Sequence, residues 1–173
     1  MDRFSLIRLF LSACVAATAC TLSSTATPEG AAEGALRAAA QELVAPTDYR
    51  SGRLTPQQAQ QWLERVRLSL EPYYAPDLVE RHMRGVTNVV EDHVQHIGPI
   101  ITSVQVRSVS LGPAEIDGSG TRFSSATVDY QTQLAEELPT ANPEGGKMCI
   151  LGLRRTEHGD WHVVDETCNE SSG

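Results

Sequence analysis

The stretch KMCILGLRRTEHGDWHVVDETC, residues 147–168, decides the fold. Two apolar runs flank the turn sequence EHGD, as expected for a β-hairpin. If Thr156 faces Trp161 across that turn, the same register places Cys149 directly opposite Cys168. Cysteines on facing positions of an antiparallel pair are close enough to be bridged. The sequence therefore predicts a hairpin joined by a Cys149–Cys168 disulfide.

The segment before this hairpin alternates between apolar and polar residues in the same way. Between residues 104 and 111 the apolar positions change parity, so a β-bulge near Arg107 and Ser108 is expected to keep them on one face. The sequence GSG at 118–120 is a turn, and residues 122–134 alternate again. Together with the last hairpin, these segments predict a four-stranded antiparallel sheet.

Three helices are predicted ahead of the strands. The first spans residues 35–44. The second begins at Pro56, with Thr55 as its capping residue, and its apolar stripe continues until Pro72. The third spans residues 76–97 and carries a long apolar face. Helices followed by an antiparallel meander predict the α+β class, with the helices packed on one face of the sheet.

Two segments strengthen this interpretation: SATVDY at 125–130 and GDWHVVD at 159–165. With the order of elements, they resemble the cystatin-like, NTF2-like superfamily. The resemblance covers residues 35–168 and implies one domain with about three N-terminal helices on a curved four-stranded antiparallel sheet. Residues 169–173 are expected to form a disordered tail.

This resemblance implies two kinds of function. Enzymatic members use an Asp–His pair inside the cone between the sheet and the helices, whereas many other members are non-catalytic binding domains. This chain has no motif onto which the catalytic residues of the enzymes can be transferred. No catalytic residue and no cofactor are therefore predicted, and the fold sets only an expectation about function.

The N-terminal segment has the features of a secretory signal peptide. Arg3 and Arg8 precede an uncharged apolar run at 9–19 that is too short to span a bilayer. The run ends in the small-residue sequence ATA, directly before Cys20. This arrangement resembles the lipobox of bacterial lipoproteins, in which the cysteine after the cleavage site is lipidated.

The resemblance implies a signal peptide at 1–19 and a lipidated Cys20 with palmitate-type acyl chains. The protein would then be anchored to the cell membrane on its extracytoplasmic face. Residues 20–34 have the composition of a flexible tether. Cys14 matches the lipobox better by letter, but a cut before it leaves too short an apolar run. Ordinary cleavage after Ala19, which would release a secreted protein with a free cysteine, stays open as an alternative.

Composition restricts the partners. The chain has 173 residues and a net charge of -8, which becomes -9 when the leader is removed with Asp2, Arg3 and Arg8. This sign argues against nucleic acid binding, which depends on Lys and Arg displacing counterions from phosphates. It also disfavours docking of the folded domain onto anionic lipid headgroups.

Four side chains are candidates for the lining of a pocket in the cone. They are Tyr74, His93, Asp129 and Trp161. No metal site is predicted, because His82 and His93 are about 16 Å apart along their helix and His93 with His96 lacks a third ligand.

The first functional hypothesis is a non-catalytic, membrane-anchored lipoprotein that binds an envelope protein or a small apolar ligand. The alternative is an NTF2-like enzyme of the isomerase or cyclase type, with an acid–base pair in the cone. A metal-binding or pH-sensing role for the helix histidines is a third hypothesis with less support.

Overall fold

The computed structural model describes residues 24–49, 53–95, 100–134 and 144–171. The architecture is α+β, as predicted: three helices precede an antiparallel, open sheet whose strands follow in the order β1-β2-β3-β4. The elements are α1 Pro28–Ala40, α2 Pro56–Leu70, α3 Pro76–Gln95, β1 Ile101–Ile116, β2 Arg122–Leu134, β3 Glu144–Arg155 and β4 Trp161–Ser171.

The second helix begins as its sequence predicts. Thr55 accepts a hydrogen bond from the Gln58 backbone N–H, and the Gln58 side chain returns a bond to the Thr55 backbone, which completes a capping box. Pro56 occupies the first helical position, where its missing N–H leaves no bond unmade. The buried face of α2 comprises Trp62, Val66 and Leu70.

The first helix corrects the predicted tether. It begins at Pro28, after the capping residue Thr27, and therefore takes residues 28–34 into the domain. The inner face of α1 consists of alanines, a glycine and a single leucine, Leu36, and a Cβ on Gly34 would lie 2.2 Å from Cε1 of Tyr73. Small residues thus permit a close approach of α1 to Tyr73, but they form no stripe of bulky apolar side chains that would reveal the start of the helix. The predicted helix over 35–44 therefore began seven residues too late, and it also ended four residues too late.

The first hairpin matches its prediction closely. β2 has the expected bounds, and the register between β1 and β2 shifts between Val106 and Ser108, where the bulge was expected. Two further shifts, after Ile101 and after Leu111, were not predicted. The bulges keep Val109 and Leu111 packed against the core.

The turn of the last hairpin differs by one residue from the prediction. Arg155, and not Thr156, pairs with Trp161. The Thr156 backbone N–H instead donates to the carbonyl of Asp160 at 2.7 Å, which makes Thr156 part of the loop. Gly159 adopts a φ of 95°, a conformation that side chains disfavour and glycine permits.

A second irregularity restores the expected register farther from the turn. The pairing shifts between Gly152 and Leu153, and beyond this point Cys149 pairs with Cys168 as predicted. The two cysteines form a disulfide, with their Cα atoms 4.1 Å apart. The prediction of the bridge is confirmed, although it rested on a loop and a ladder that were each in error by one residue.

The last strand is longer than predicted. β4 continues to Ser171 and pairs with β3 through Gly146. Residues 169–171 therefore belong to the sheet and not to the predicted tail at 169–173.

The core fills the space between the helices and the inner face of the sheet. Its largest buried side chains include Trp62, Tyr74, Leu70, Leu151 and Val163, and each of them is at most 1% exposed. Such a packed interior has few voids larger than a water molecule. The region predicted to hold a pocket is thus occupied by core side chains.

The connection between α2 and α3 covers the free edge of β4. The Val163 N–H donates to the Tyr73 carbonyl at 2.8 Å, and the Ala75 N–H donates to the Val163 carbonyl at 2.9 Å. These bonds satisfy backbone groups that an edge strand would otherwise expose. They also hold the helix junction against the sheet, next to the buried charges described below.

Candidate functional site

A cluster of ionisable side chains lies between α1, α3 and β4. His82 on α3 is placed between two carboxylates: its Nδ1 is 2.6 Å from Oε1 of Glu42, and its Nε2 is 2.8 Å from Oε2 of Glu166. All three side chains are at most 17% exposed. Tyr74 adds a hydroxyl that donates to Glu166 at 3.4 Å. We call these four residues the His82 cluster.

The two carboxylate contacts differ in quality. Nε2 of His82 makes a hydrogen bond to Glu166. Oε1 of Glu42 lies close to Nδ1 but has no hydrogen-bond partner, so this contact is an ion pair without good alignment. Glu42 is held in place by its backbone, because its carbonyl accepts a bond from the indole N–H of Trp62 at 2.8 Å.

The surroundings of His82 favour its charged form. Burial alone would lower its pKa, but the contacts and charges of Glu166 and Glu42 outweigh burial and raise the pKa from 6.5 to about 9. The pKa of the Tyr74 hydroxyl is raised well above 10, first by burial and then by the nearby carboxylates. At neutral pH the cluster therefore holds an imidazolium and a neutral phenol.

The sequence carried one signal for this cluster that the prediction did not use. The register that pairs Cys149 with Cys168 also pairs Glu166 with the apolar Leu151, so it already places Glu166 on the inner face of the sheet. A carboxylate on an inward-facing position requires a partner. Glu42 gave no such signal, because it lies in the turn after α1.

The predicted pocket residues are placed in separate surroundings. Tyr74 is buried in the His82 cluster, with its ring 4.7 Å from the imidazole of His82. His93 lies at the other end of α3, where Nδ1 contacts the Tyr49 hydroxyl at 3.2 Å and the ring centroid lies 5.7 Å from that of Trp62. Burial lowers the pKa of His93, against a smaller opposing effect of Asp92.

The other two predicted pocket residues are also apart from these. Asp129 is exposed on β2 and accepts a hydrogen bond from Ser108 on β1 at 2.5 Å. Trp161 begins β4, where the guanidinium of Arg122 lies 5.8 Å from the centre of its ring. Tyr74, His93, Asp129 and Trp161 therefore contact different neighbours, and a pocket that all four share stays a prediction.

A cavity of about 980 Å³ forms an open groove between α2 and α3. Its apolar part includes Ala59, Leu63 and Met83, and its edge includes the ion pair between Arg67 and Glu80, which are 2.7 Å apart. Helical spacing explains this composition, because residues three and four positions apart share one side of a helix. The groove borders the core, because Met83 belongs to the core and Ala59 and Leu63 pack against it.

No metal site was predicted at the helix histidines, and His96, which belongs to the third hypothesis, lies outside the described residues. Cys20 and the segment 1–19 also lie outside them. Among the described residues, one group of ligating atoms is compact: Cys149, Glu166 and Cys168 each offer an atom within 4.8 Å of the others. In the disulfide form the two sulfurs of this group are not thiolates.

Comparison with known proteins gives no relative. The chain matches no known family model, no curated protein and no solved structure. Within the described parts of the chain, none of the helices combines the length and the apolar character needed to cross a membrane.

Proposed function

We propose that the protein is a membrane-anchored, extracytoplasmic lipoprotein that is non-catalytic and binds an envelope protein in the groove between α2 and α3. The observation that carries the binding function is the groove itself, with an apolar floor and a charged edge. The anchor rests on the lipobox-like sequence that ends at Cys20.

The shape of the groove favours a protein segment over a small apolar ligand. Small-molecule sites are concave and bury most of the ligand surface. This groove is open along its length, so a small apolar ligand would keep much of its surface in water. An amphipathic helix would place its apolar face on Leu63 and Met83, and its polar face would remain in solvent near Arg67 and Glu80.

The start of the domain gives the anchor a geometric consequence. Thr25 is held at the β3–β4 turn, because its hydroxyl donates to Asp160 at 2.9 Å and its carbonyl accepts from the Trp161 N–H at 2.8 Å. Four residues lie between Cys20 and Thr25, and the five Cα-to-Cα steps reach at most roughly 18 Å. A lipidated Cys20 would therefore hold the end of the domain that carries the β3–β4 turn close to the membrane.

We also propose that the domain is a divergent relative of the cystatin-like, NTF2-like superfamily. Three helices followed by four antiparallel strands in consecutive order support this assignment. The packed interior between the sheet and the helices is consistent with a non-catalytic member of that group.

The alternative of an NTF2-like enzyme has one observation in its favour. The His82 cluster is an acid–base group inside the domain, as the enzymatic members have. Tyr74, however, is 1% exposed, and the groove between α2 and α3 is lined by other residues. A substrate would need an opening next to His82, so solvent access to this imidazole in a hydrogen-exchange experiment tests the alternative.

The anchor is tested by the mass of the mature protein. We expect the mass to exceed that of residues 20–173 by a diacylglyceryl group and an acyl chain, and Cys20→Ser to abolish this increase. Cys14→Ser is the matched control and should leave the lipid in place. Loss of the lipid in Cys14→Ser, with retention in Cys20→Ser, would refute the assignment.

The binding function is tested by site-specific photo-crosslinking in cells that produce the protein. A photoreactive residue in place of Gln60, which lines the groove, should give a defined adduct with one envelope protein. Gln61 is the matched control, because it is also an exposed glutamine of α2 but does not line the groove. Equal adducts from both positions would contradict a role for the groove.

A further inference from the structure

The surroundings of the disulfide contain more ligating atoms than a purely structural bridge requires. Cys149 is buried, whereas Cys168 on the neighbouring strand is exposed. Sγ of Cys168 lies 3.2 Å from Oε1 of Glu166. A sulfur in a disulfide carries no proton, so this approach is a contact and not a hydrogen bond.

The second oxygen of the same carboxylate leads to an imidazole nitrogen. Oε2 of Glu166 is 2.8 Å from Nε2 of His82, and the opposite ring nitrogen faces Glu42. A carboxylate on one nitrogen of a histidine is the usual arrangement behind a metal-bound imidazole, because it fixes the ring and directs the other nitrogen at the ion. Glu42 therefore stands where an orienting carboxylate is needed.

We propose that reduction of the Cys149–Cys168 disulfide creates a binding site for one Zn²⁺, with the thiolates of Cys149 and Cys168, a carboxylate oxygen of Glu166 and Nε2 of His82 as its ligands. The two sulfurs and a Glu166 oxygen already lie within 4.8 Å of one another. His82 would be the fourth ligand: its Nε2 lies 2.8 Å from Oε2 of Glu166 and would exchange this hydrogen bond for a bond to the metal.

The donor set selects the metal. Two thiolates, one imidazole and one carboxylate suit Zn²⁺, which prefers four tetrahedral ligands of this kind. Ca²⁺ and Mg²⁺ require mainly oxygen ligands and are disfavoured by the two sulfurs. The site lies partly at the surface, since Cys168 is exposed, so an ion can enter without unfolding of the domain.

The chemistry balances with a dithiol as the reductant. The dithiol gives two electrons and two protons, it becomes a disulfide, and the Cys149–Cys168 bond is converted into two thiols. Zinc then displaces the two thiol protons and the Nε2 proton of His82. A disulfide oxidant reverses these steps: it takes up two electrons and two protons and becomes two thiols, the Cys149–Cys168 bond forms again, and the ion is released. The state of the disulfide would thus decide whether the domain holds zinc.

The test uses the full chain with Cys14→Ser and Cys20→Ser, so that Cys149 and Cys168 are its only cysteines. The protein is reduced with a water-soluble phosphine and dialysed against Zn²⁺ or Co²⁺. We expect one metal ion per reduced chain, a thiolate-to-cobalt absorption band and no binding to the oxidised chain. Absence of metal from the reduced chain, or equal binding to the oxidised chain, would overturn the proposal.

Single substitutions test the ligands. Cys168→Ser should abolish the cobalt band, and His82→Gln should weaken zinc binding at least about 10-fold. His93→Gln, on the same helix, is the matched control and should bind zinc as the parent does. Should His82→Gln fail to fold, Glu166→Gln provides the same test. If His82→Gln, or Glu166→Gln in its place, binds zinc as tightly as the parent, the four-residue site is refuted.

Discussion

His82 and His93 stand on the same helix, and both are partly buried, yet their surroundings drive their charge in opposite directions. His82 lies between Glu42 and Glu166, and its pKa is raised to about 9. His93 lies against the rings of Tyr49 and Trp62, and burial lowers its pKa. Burial disfavours the charged form at both positions, so the carboxylates at His82 make the difference.

The comparison shows how one helix carries two kinds of contact to the rest of the domain. At His82 the helix is joined to the turn after α1 and to β4 through charges. At His93 it is joined to the segment before α2 through aromatic rings and through the His93 carbonyl, which accepts from the Leu54 N–H at 3.0 Å. Changes at the two histidines should therefore have different consequences.

The largest difference is expected for replacement by leucine. His82→Leu leaves Glu42 and Glu166 without a counter-charge in a buried position, and breaking a buried pair in this way costs about 3–5 kcal/mol. His93→Leu removes one hydrogen bond at a half-buried ring and should cost about 1 kcal/mol. Urea unfolding at neutral pH measures both values.

A double variant provides the control for this prediction. His82→Leu with Glu166→Leu removes both partners of the hydrogen bond between Nε2 and Glu166 and should be less destabilised than His82→Leu alone. Equal losses for His82→Leu and His93→Leu would show that the charges of the His82 cluster contribute nothing beyond packing.

The second prediction concerns pH. Since the pKa of His82 rises from 6.5 to about 9 on folding, its stabilisation is fully present below pH 6.5 and is lost as the pH rises through 9. Partial solvent access limits the loss to about 2 kcal/mol between about pH 6.5 and about pH 9.5. His93 acts on the acid side, because its lowered pKa gives a stabilisation that is lost as the pH falls below 6.5.

Free energies of unfolding across this pH range check the two effects. His82→Gln should flatten the alkaline part of the curve, and His93→Gln should flatten the acid part. If the alkaline part keeps its slope in His82→Gln, the raised pKa of His82 is not its cause and the prediction is wrong.

The elements that the sequence predicted well are those whose signals are local. The capping box at Thr55 needs only residues within one turn of helix, and the last hairpin needs only alternation on both sides of a turn. The bulge after Val106 was visible as a change of parity along one strand. Such patterns act over a few residues, so one sequence contains them.

The parts that were missed depend on contacts between distant segments. α1 packs through small residues such as Gly34 against Tyr73, and alanine-rich sequence is equally typical of a tether. The His82 cluster joins Glu42, His82 and Glu166 from a turn, a helix and a strand. Only the inward side of Glu166 could have been inferred, and the identity of its partner could not, because it depends on how α3 lies over β4.

The third prediction measures the charges directly. Glu42→Gln removes one of the two carboxylates at His82 and should lower its pKa by about one pH unit. The pKa of His93 should not change, because Glu42 does not contact it. Titration of the imidazole proton signals by NMR gives both values in one experiment. A shift at His93 in this variant would show that the two ends of α3 are coupled.

The smallest effect is expected when the Tyr74 hydroxyl is removed. Tyr74→Phe deletes a hydrogen bond to Glu166 that is long, at 3.4 Å, and keeps the ring contact with His82 at 4.7 Å. We expect a loss of about 0.5–1 kcal/mol in the free energy of unfolding. Because Glu166 keeps its bond to Nε2, the pKa of His82 should stay near 9. A large fall in that pKa would mean that the hydroxyl positions the Glu166 carboxylate, and the ion pair would then depend on the aromatic residue as well as on the charges.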